Sequence, residues 1–226
     1  MTPDRKKTRN KNGLIEKALF IGVLFSYSYF FSAGEWNQIS RYDLIFSLVE
    51  ASDIDVPLFS INNFIIHPQA NFNTGDWAIY NGDYYSNKAP GSAFLGAAVY
   101  SILHLVETFF LNLDISSPAL TILNLWFINI LISALPLALS SIYFFRIALL
   151  FSNNTLQALS SGLFLYWGTL LFPYSTQLWG APTAAACIVF GIYHHFQDGG
   201  KSSLWTGAFW GLAVLTDYAA APIVVL

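Results

Sequence analysis

"DRKKTRNKNGLIEKALFIGVLFSYSYFFSA", Asp4 to Ala33, decides the class of this protein. Six of the chain's ten Lys and Arg residues, Arg5, Lys6, Lys7, Arg9, Lys11 and Lys17, crowd its front, and a charge-free aromatic run from Ala18 to Ala33 follows. That run, with the residues just before it, has about the length needed to cross hydrocarbon. Positive flanks stay in the cytoplasm, so residues 1–13 read as a basic cytoplasmic N-terminus and 14–33 as a first transmembrane helix emerging near Gly34. The rival is a secretory signal peptide, but the apolar segments further along keep the chain in the membrane either way.

Composition extends this reading to the whole chain. Of 226 residues 55% are hydrophobic and only 10% charged, against about a quarter charged in a soluble domain. The basic head is the one basic cluster, and it suits anionic lipid rather than nucleic acid. Cys187 is alone, which excludes a disulfide framework or a cysteine metal site.

Residues 34–90 form the one long polar stretch, with Glu35, Asp43, Glu50, Asp53, Asp55, Asp76 and Asp83 alongside Arg41 and Lys88. This is the pattern of a large extracytoplasmic loop. Within it, "RYDLIFSLVEAS" spaces Leu44, Ile45, Leu48 and Val49 as one helical face, a short helix lying on the membrane surface. "HPQ", "NTGD" and "YNGD" carry turn chemistry and predict small hairpins. Apolar runs follow at 92–112, 119–150, 158–173, 179–196 and 204–226. The predicted fold is therefore an all-α integral membrane protein, a polytopic helical bundle over 91–226 that is expected to continue beyond 226.

Arg146 and Lys201, the two basic residues after the loop, both prefer the cytoplasm, which turns the tip "LFPYSTQLWGAP" outward. From Pro90 outside to Arg146 inside needs an odd number of crossings, yet two apolar runs intervene. Either the 92–112 run is re-entrant or surface-lying, or Arg146 breaks the rule.

Charges outside the basic head are the candidates for chemistry. The loop acids, Glu35, Asp43, Asp53, Asp55, Asp76 and Asp83, have the oxygen ligands for a hard cation such as Mg²⁺ or Mn²⁺, or a base for an acceptor hydroxyl; solvated loop charge is the plain alternative. Lys88, at the water interface before Pro90, suits a phosphate or ordinary snorkelling. Arg41 suits a phosphate clamp or a salt bridge with Asp43 or Glu50. Trp77, Tyr80, Tyr84 and Tyr85 suit an interfacial aromatic belt or a wall for a sugar ring. Asp217, about 20 Å along the last run if that run is one helix, is an intramembrane acid and so a functional candidate by default. His194 and His195, adjacent and so about 100° apart on a helix, do not share a metal.

The order of these features resembles the GT-C membrane glycosyltransferases, the group that includes protein O-mannosyltransferases and lipid A aminoarabinose transferases, and their bacterial dolichyl-phosphate-mannose-transferase-like relatives. "NQISRYDLIFSLVE", "GDWAIYNGDYYSNKAPG", "GTLLFPYSTQLWG" and "GLAVLTDY" carry the likeness. It implies a multi-pass protein of the bacterial plasma membrane that takes a sugar from a polyprenyl-phosphate donor at the outer face. The sugar would pass to a lipid, glycan or protein acceptor. It also implies that Lys88, in the place of the family's Lys-Pro-Pro lysine, meets the donor phosphate. The family's Asp-Glu pair ahead of Arg-Tyr is replaced by Asn37 and Gln38, so Glu35, Asp43, Asp55 or Asp76 would serve as base. A transporter or flippase for a lipid-linked sugar, and a non-catalytic scaffold, are the alternatives.

Overall fold

A computed structural model describes residues 3–50, 57, 59–64, 66–67, 72–197 and 204–225. The chain is mostly helical. Helix α1 spans Pro3–Tyr29 and α2 Trp36–Glu50; after a 3₁₀ turn come two short antiparallel pairs, β1 (Ile66–His67) with β2 (Phe72–Asn73) and β3 (Trp77–Tyr80) with β4 (Asp83–Ser86). Helix α3 (Gly91–Leu105) ends in a π turn, Val106–Phe110; α4 (Pro118–Asn129) continues through another, Ile130–Ala134, into α5 (Leu135–Ser152). Then follow α6 (Thr155–Trp167), α7 (Leu171–Ser175), α8 (Gly180–Gln197), α9 (Leu204–Thr216) and α10 (Ala221–Val225).

Among the described residues two helices, Gly91–Phe110 and Pro118–Ser152, are long and apolar enough to cross a membrane. The expected first span at 14–33 is not one of them. Its helix starts earlier, at Pro3, and stops at Tyr29, and Glu16 with Lys17 interrupts the apolar face.

Local chemistry accounts for the boundaries. Asn81 and Gly82 both take positive φ, 53° and 91°, which the tight turn between β3 and β4 requires. Asn154 caps α6 by accepting from the Leu156 and Gln157 amides, and Asn153 ends α5 in the left-handed region at φ 50°.

The long helices run between two ends. At one end the Thr155 hydroxyl lies 3.5 Å from Asn12, and Arg146 grips Glu16. At the other, Trp126 donates to the Ser28 carbonyl at 2.9 Å and the Ser32 amide to Thr176 at 2.9 Å, while the Thr183 hydroxyl reaches the Ile132 carbonyl at 2.7 Å. Small and hydroxylic residues line these contacts, letting backbones approach: Ser133, Ser140, Ser141 and Thr183 are buried. Inside, the Tyr27 hydroxyl donates to the Tyr166 carbonyl, and the Tyr166 hydroxyl shares a 2.7 Å bond with Ser140.

Helices α2 and α3 lie side by side in the same direction. Arg41 meets Ser92, Ile45 fills the space a Cβ would take on Gly96, and Glu50 meets Tyr100. Gly91 at the start of α3 abuts the Leu215 backbone, and Glu107 near its end accepts from the Asn124 amide at 3.1 Å. Leu215 lies at the end of α9, and Asn124 precedes Trp126, so both ends of α3 sit at the end of the bundle that holds Ser28 and Thr176. The 91–110 helix therefore lies across that end, and the 118–152 helix runs from it toward Arg146.

Candidate functional site

The described part of the polar loop gathers on the end of the bundle that α2 and α3 cover. Thr74 ties it to the start of α2, donating to the Trp36 carbonyl at 2.9 Å and accepting from the Asp76 amide at 3.1 Å. Gly75 leaves room for the Trp36 ring, which a Cβ at 2.7 Å would push aside. The β3–β4 hairpin is held to α2 by Ser40 and Ser86, whose hydroxyls are 2.9 Å apart.

Asp76 is thus fixed in front of the Asn87–Lys88 segment. The Lys88 ammonium lies 2.5 Å from Asp76 Oδ2, and the Asn87 amide donates to Oδ1 at 2.9 Å. Burial acts to raise the Asp76 carboxyl, but bonds from Lys88 and Asn87 and the charges of Lys88 and Arg41 outweigh it and hold it below its ordinary value. It is ionised at neutral pH.

Arg41 completes the electrostatics from beneath. Its Nε donates to Ser92 Oγ at 3.2 Å, and Nη1 donates to both the carbonyl oxygen and the side-chain oxygen of Asn37. Only 5% of Arg41 is exposed. Burial lowers its pKa to about 10, opposed by the charges of Asp217 and Asp76. Neither expected salt bridge, with Asp43 or Glu50, forms. Among the described residues its hydrogen-bond partners are neutral, and no carboxylate stands at hydrogen-bond range.

Gly180 makes room for this guanidinium. A Cβ there would stand 2.0 Å from the Thr216 carbonyl oxygen and 3.3 Å from Arg41 Nη2. The continuous run expected over 204–226 is also corrected at this point. Helix α9 stops at Thr216, and Asp217 is extended (φ −150°), its carboxylate accepting from the Ala219 amide at 3.0 Å. A side chain that caps a turn beside a buried arginine is stabilised by both, which is why a carboxylate is tolerated there.

Above this cluster a cavity of about 300 Å³ opens among Leu44, Phe59, Tyr85, Lys88, Phe94 and Tyr218. It offers one ammonium in a largely apolar wall, next to the N-terminus of α3, whose first amides carry partial positive charge.

The remaining candidates are dispersed. Asp43 is 1% exposed with Oδ2 unpartnered, and burial pushes its pKa up to about 8. Glu35 is exposed where α2 begins, its carbonyl receiving the Gln38 and Ile39 amides. Asp83 is taken by the Asn62 amide at 2.8 Å. Asp53 and Asp55 lie outside the described residues. Among those described, no three His, Cys, Asp or Glu side chains gather to hold a metal ion.

Nor do the four aromatics form one wall. Tyr85 lines the cavity, Trp77 and Tyr84 meet edge to face at 5.4 Å against the core, and Tyr80 is exposed beside the turn. Sequence reading missed Ser92, Phe59 and Tyr218. Ser92 lies two residues after Pro90 and Tyr218 follows Asp217, the one cue to either, and nothing in the sequence marks Phe59. Gln38 is fully buried, donating to the Ser32 carbonyl at 3.1 Å and accepting from the Leu178 amide, so it joins α2 to the bundle rather than facing the cavity.

No known protein family, curated protein or solved structure matches this chain.

Proposed function

We propose that this chain is a membrane glycosyltransferase of the GT-C type, moving a sugar from a polyprenyl-phosphate donor to an acceptor at the outer face of the membrane. The observation that carries the reading is the convergence of Lys88, Asp76 and buried Arg41 at the N-terminus of α3, beside an apolar cavity. An apolar pocket with one cation at its edge suits a lipid phosphate better than a free sugar. Arg41, bonded to Asn37 rather than to a carboxylate, keeps its charge available to the field at that spot.

In this reading the bundle is polytopic in the plasma membrane, with the basic N-terminal segment in the cytoplasm. The loop and α3 then lie over the outer leaflet. Lys88 and the first amides of α3 hold the donor phosphate, and Arg41 adds long-range stabilisation as negative charge develops on it. Asp76, ionised and partly exposed, takes the proton of the acceptor hydroxyl. The acceptor oxygen then forms its bond to the anomeric carbon while the bond from that carbon to the phosphate oxygen breaks, its electron pair leaving with the polyprenyl phosphate. Asp43 does not serve as base here, being buried and protonated at neutral pH.

Transport of a lipid-linked sugar draws its support from an acid in mid-span, and Asp217 instead caps a turn at a helix end. The test is release of polyprenyl phosphate from a polyprenyl-phosphate-linked sugar by the membrane-embedded chain. Transfer should be lost in Lys88→Ala with the protein still folded; undiminished transfer in that variant defeats the proposal.

A further inference from the structure

The opposite end of the bundle holds a second cavity, of about 380 Å³, lined by Arg146, Leu149, Leu150, Asn153, Tyr193 and Gln197. We propose that it takes the phosphate headgroup of an anionic phospholipid from the leaflet on the side of the basic N-terminal segment. This rests on the membrane part of the reading above and not on sugar transfer.

Arg146 supplies the charge. Its Nε and Nη2 hold Glu16 at 2.9 and 2.8 Å, and its guanidinium stands 5.8 Å over the Tyr143 ring. Glu16 takes two of its five N–H donors and Tyr193 lies within bonding reach of the guanidinium, while 43% of the side chain remains exposed. The Asn153 and Gln197 amides add uncharged donors around the same space. Asn153 stands where α5 ends, at φ 50°, immediately before the capped N-terminus of α6, whose partial positive charge also favours an anion.

The rest of the wall is apolar and continues outward. Leu150, Phe151 and Leu156 are 58%, 69% and 70% exposed, a surface suited to acyl chains rather than water. Helix α1 reaches this end too, through Glu16 on Arg146 and Asn12 beside Thr155. Its preceding turns carry Arg5, Lys6, Lys7, Arg9 and Lys11 in sequence. A cavity with a charged donor and an apolar rim has the makeup of an anionic headgroup pocket.

The purified chain in detergent micelles, titrated with phosphatidylglycerol, phosphatidylcholine or inorganic phosphate while thermal unfolding is followed, tests this. Phosphatidylglycerol should raise the unfolding temperature saturably, and the other two should not. Arg146→Gln should weaken the phosphatidylglycerol midpoint about tenfold, the order expected for one lost charge-assisted contact. Glu16→Gln, which releases Arg146 from its internal counterion, should strengthen it, and this variant decides the matter if Arg146→Gln does not fold. Equal stabilisation by phosphatidylcholine, an equal effect of inorganic phosphate, or an unchanged midpoint in the Glu16→Gln variant overturns the proposal. Failure of the membrane reading would appear separately, as protein that does not float with phosphatidylcholine liposomes.

Discussion

Two ion pairs sit at opposite ends of this molecule, and they differ in what surrounds them. Glu16 and Arg146 join α1 to α5 across 130 residues of sequence, through two parallel hydrogen bonds. Lys88 and Asp76 belong to one loop and touch through a single 2.5 Å contact. Exposure does not separate them, since all four side chains are partly open. The neighbours do: Lys88 and Asp76 share their field with buried Arg41 and with Asp217, whereas Arg146 meets one carboxylate, Glu16, in a fork-to-fork match. A bidentate pair fixes two helices against each other. A single contact within a group of four charges leaves an ammonium that an anion can recruit.

That contrast can be broken most severely at Lys88. Lys88→Ala should lower sugar transfer by about 10²–10³-fold, the scale for losing one group that stabilises developing charge; Arg146→Ala should leave the rate within a few-fold. Equal losses in a transfer assay would mean that the two ends do not differ in kind.

Gly180→Ala strikes the same end through packing. Its Cβ would meet the Thr216 carbonyl and crowd Arg41, so stability should fall by about 1–3 kcal/mol in a denaturation series.

Asp43 sharpens the picture through pH. Its folded pKa, about 8, lies above the ordinary carboxylate value of 3.8, so the unfolded chain loses that proton first as pH rises. The native state accordingly loses stability from about pH 4 up to about pH 8, by the linkage of proton binding to folding. Asp43→Asn should remove this slope, so that melting temperatures at pH 5 and pH 8 come closer together. An unaltered slope would show that another group governs it.

The smallest expected effect lies at the far end. Asn154→Ala removes the α6 cap and should cost about 1 kcal/mol, measured as a small fall in melting temperature without change in transfer.

Some of this was legible in the residues. The apolar runs, the helix under "RYDLIFSLVE" and the hairpin at "YNGD" follow from hydrophobic spacing and turn residues, which act locally; the pairing expected of the 158–173 and 179–196 runs does not, since α6 packs chiefly against α5, and α8 against α9 and α5. Lys88 stood out because a lysine beside Pro90 is conspicuous in so apolar a chain. Two further features misled. Helix α1 stops at Tyr29, so its apolar portion is shorter than the Ala18–Ala33 run suggests. Asp217 reads as mid-helix because "GLAVLTDYAA" has no helix breaker, although the backbone turns there to let its carboxylate cap the next amides.

Sequence alone determined that this chain is apolar, helical and basic at its front, since composition and periodicity fix which faces avoid water. It could not say which of seven loop acids meets Lys88, that Arg41 would be buried against Asn37 and Ser92, or that α3 would lie across the bundle end. The burial of Arg41 and the placing of α3 depend on contacts between residues 50 or more positions apart, such as Arg41 with Ser92 and Glu50 with Tyr100. Charges acquire their chemistry from distance and burial, and both exist only once the helices have packed.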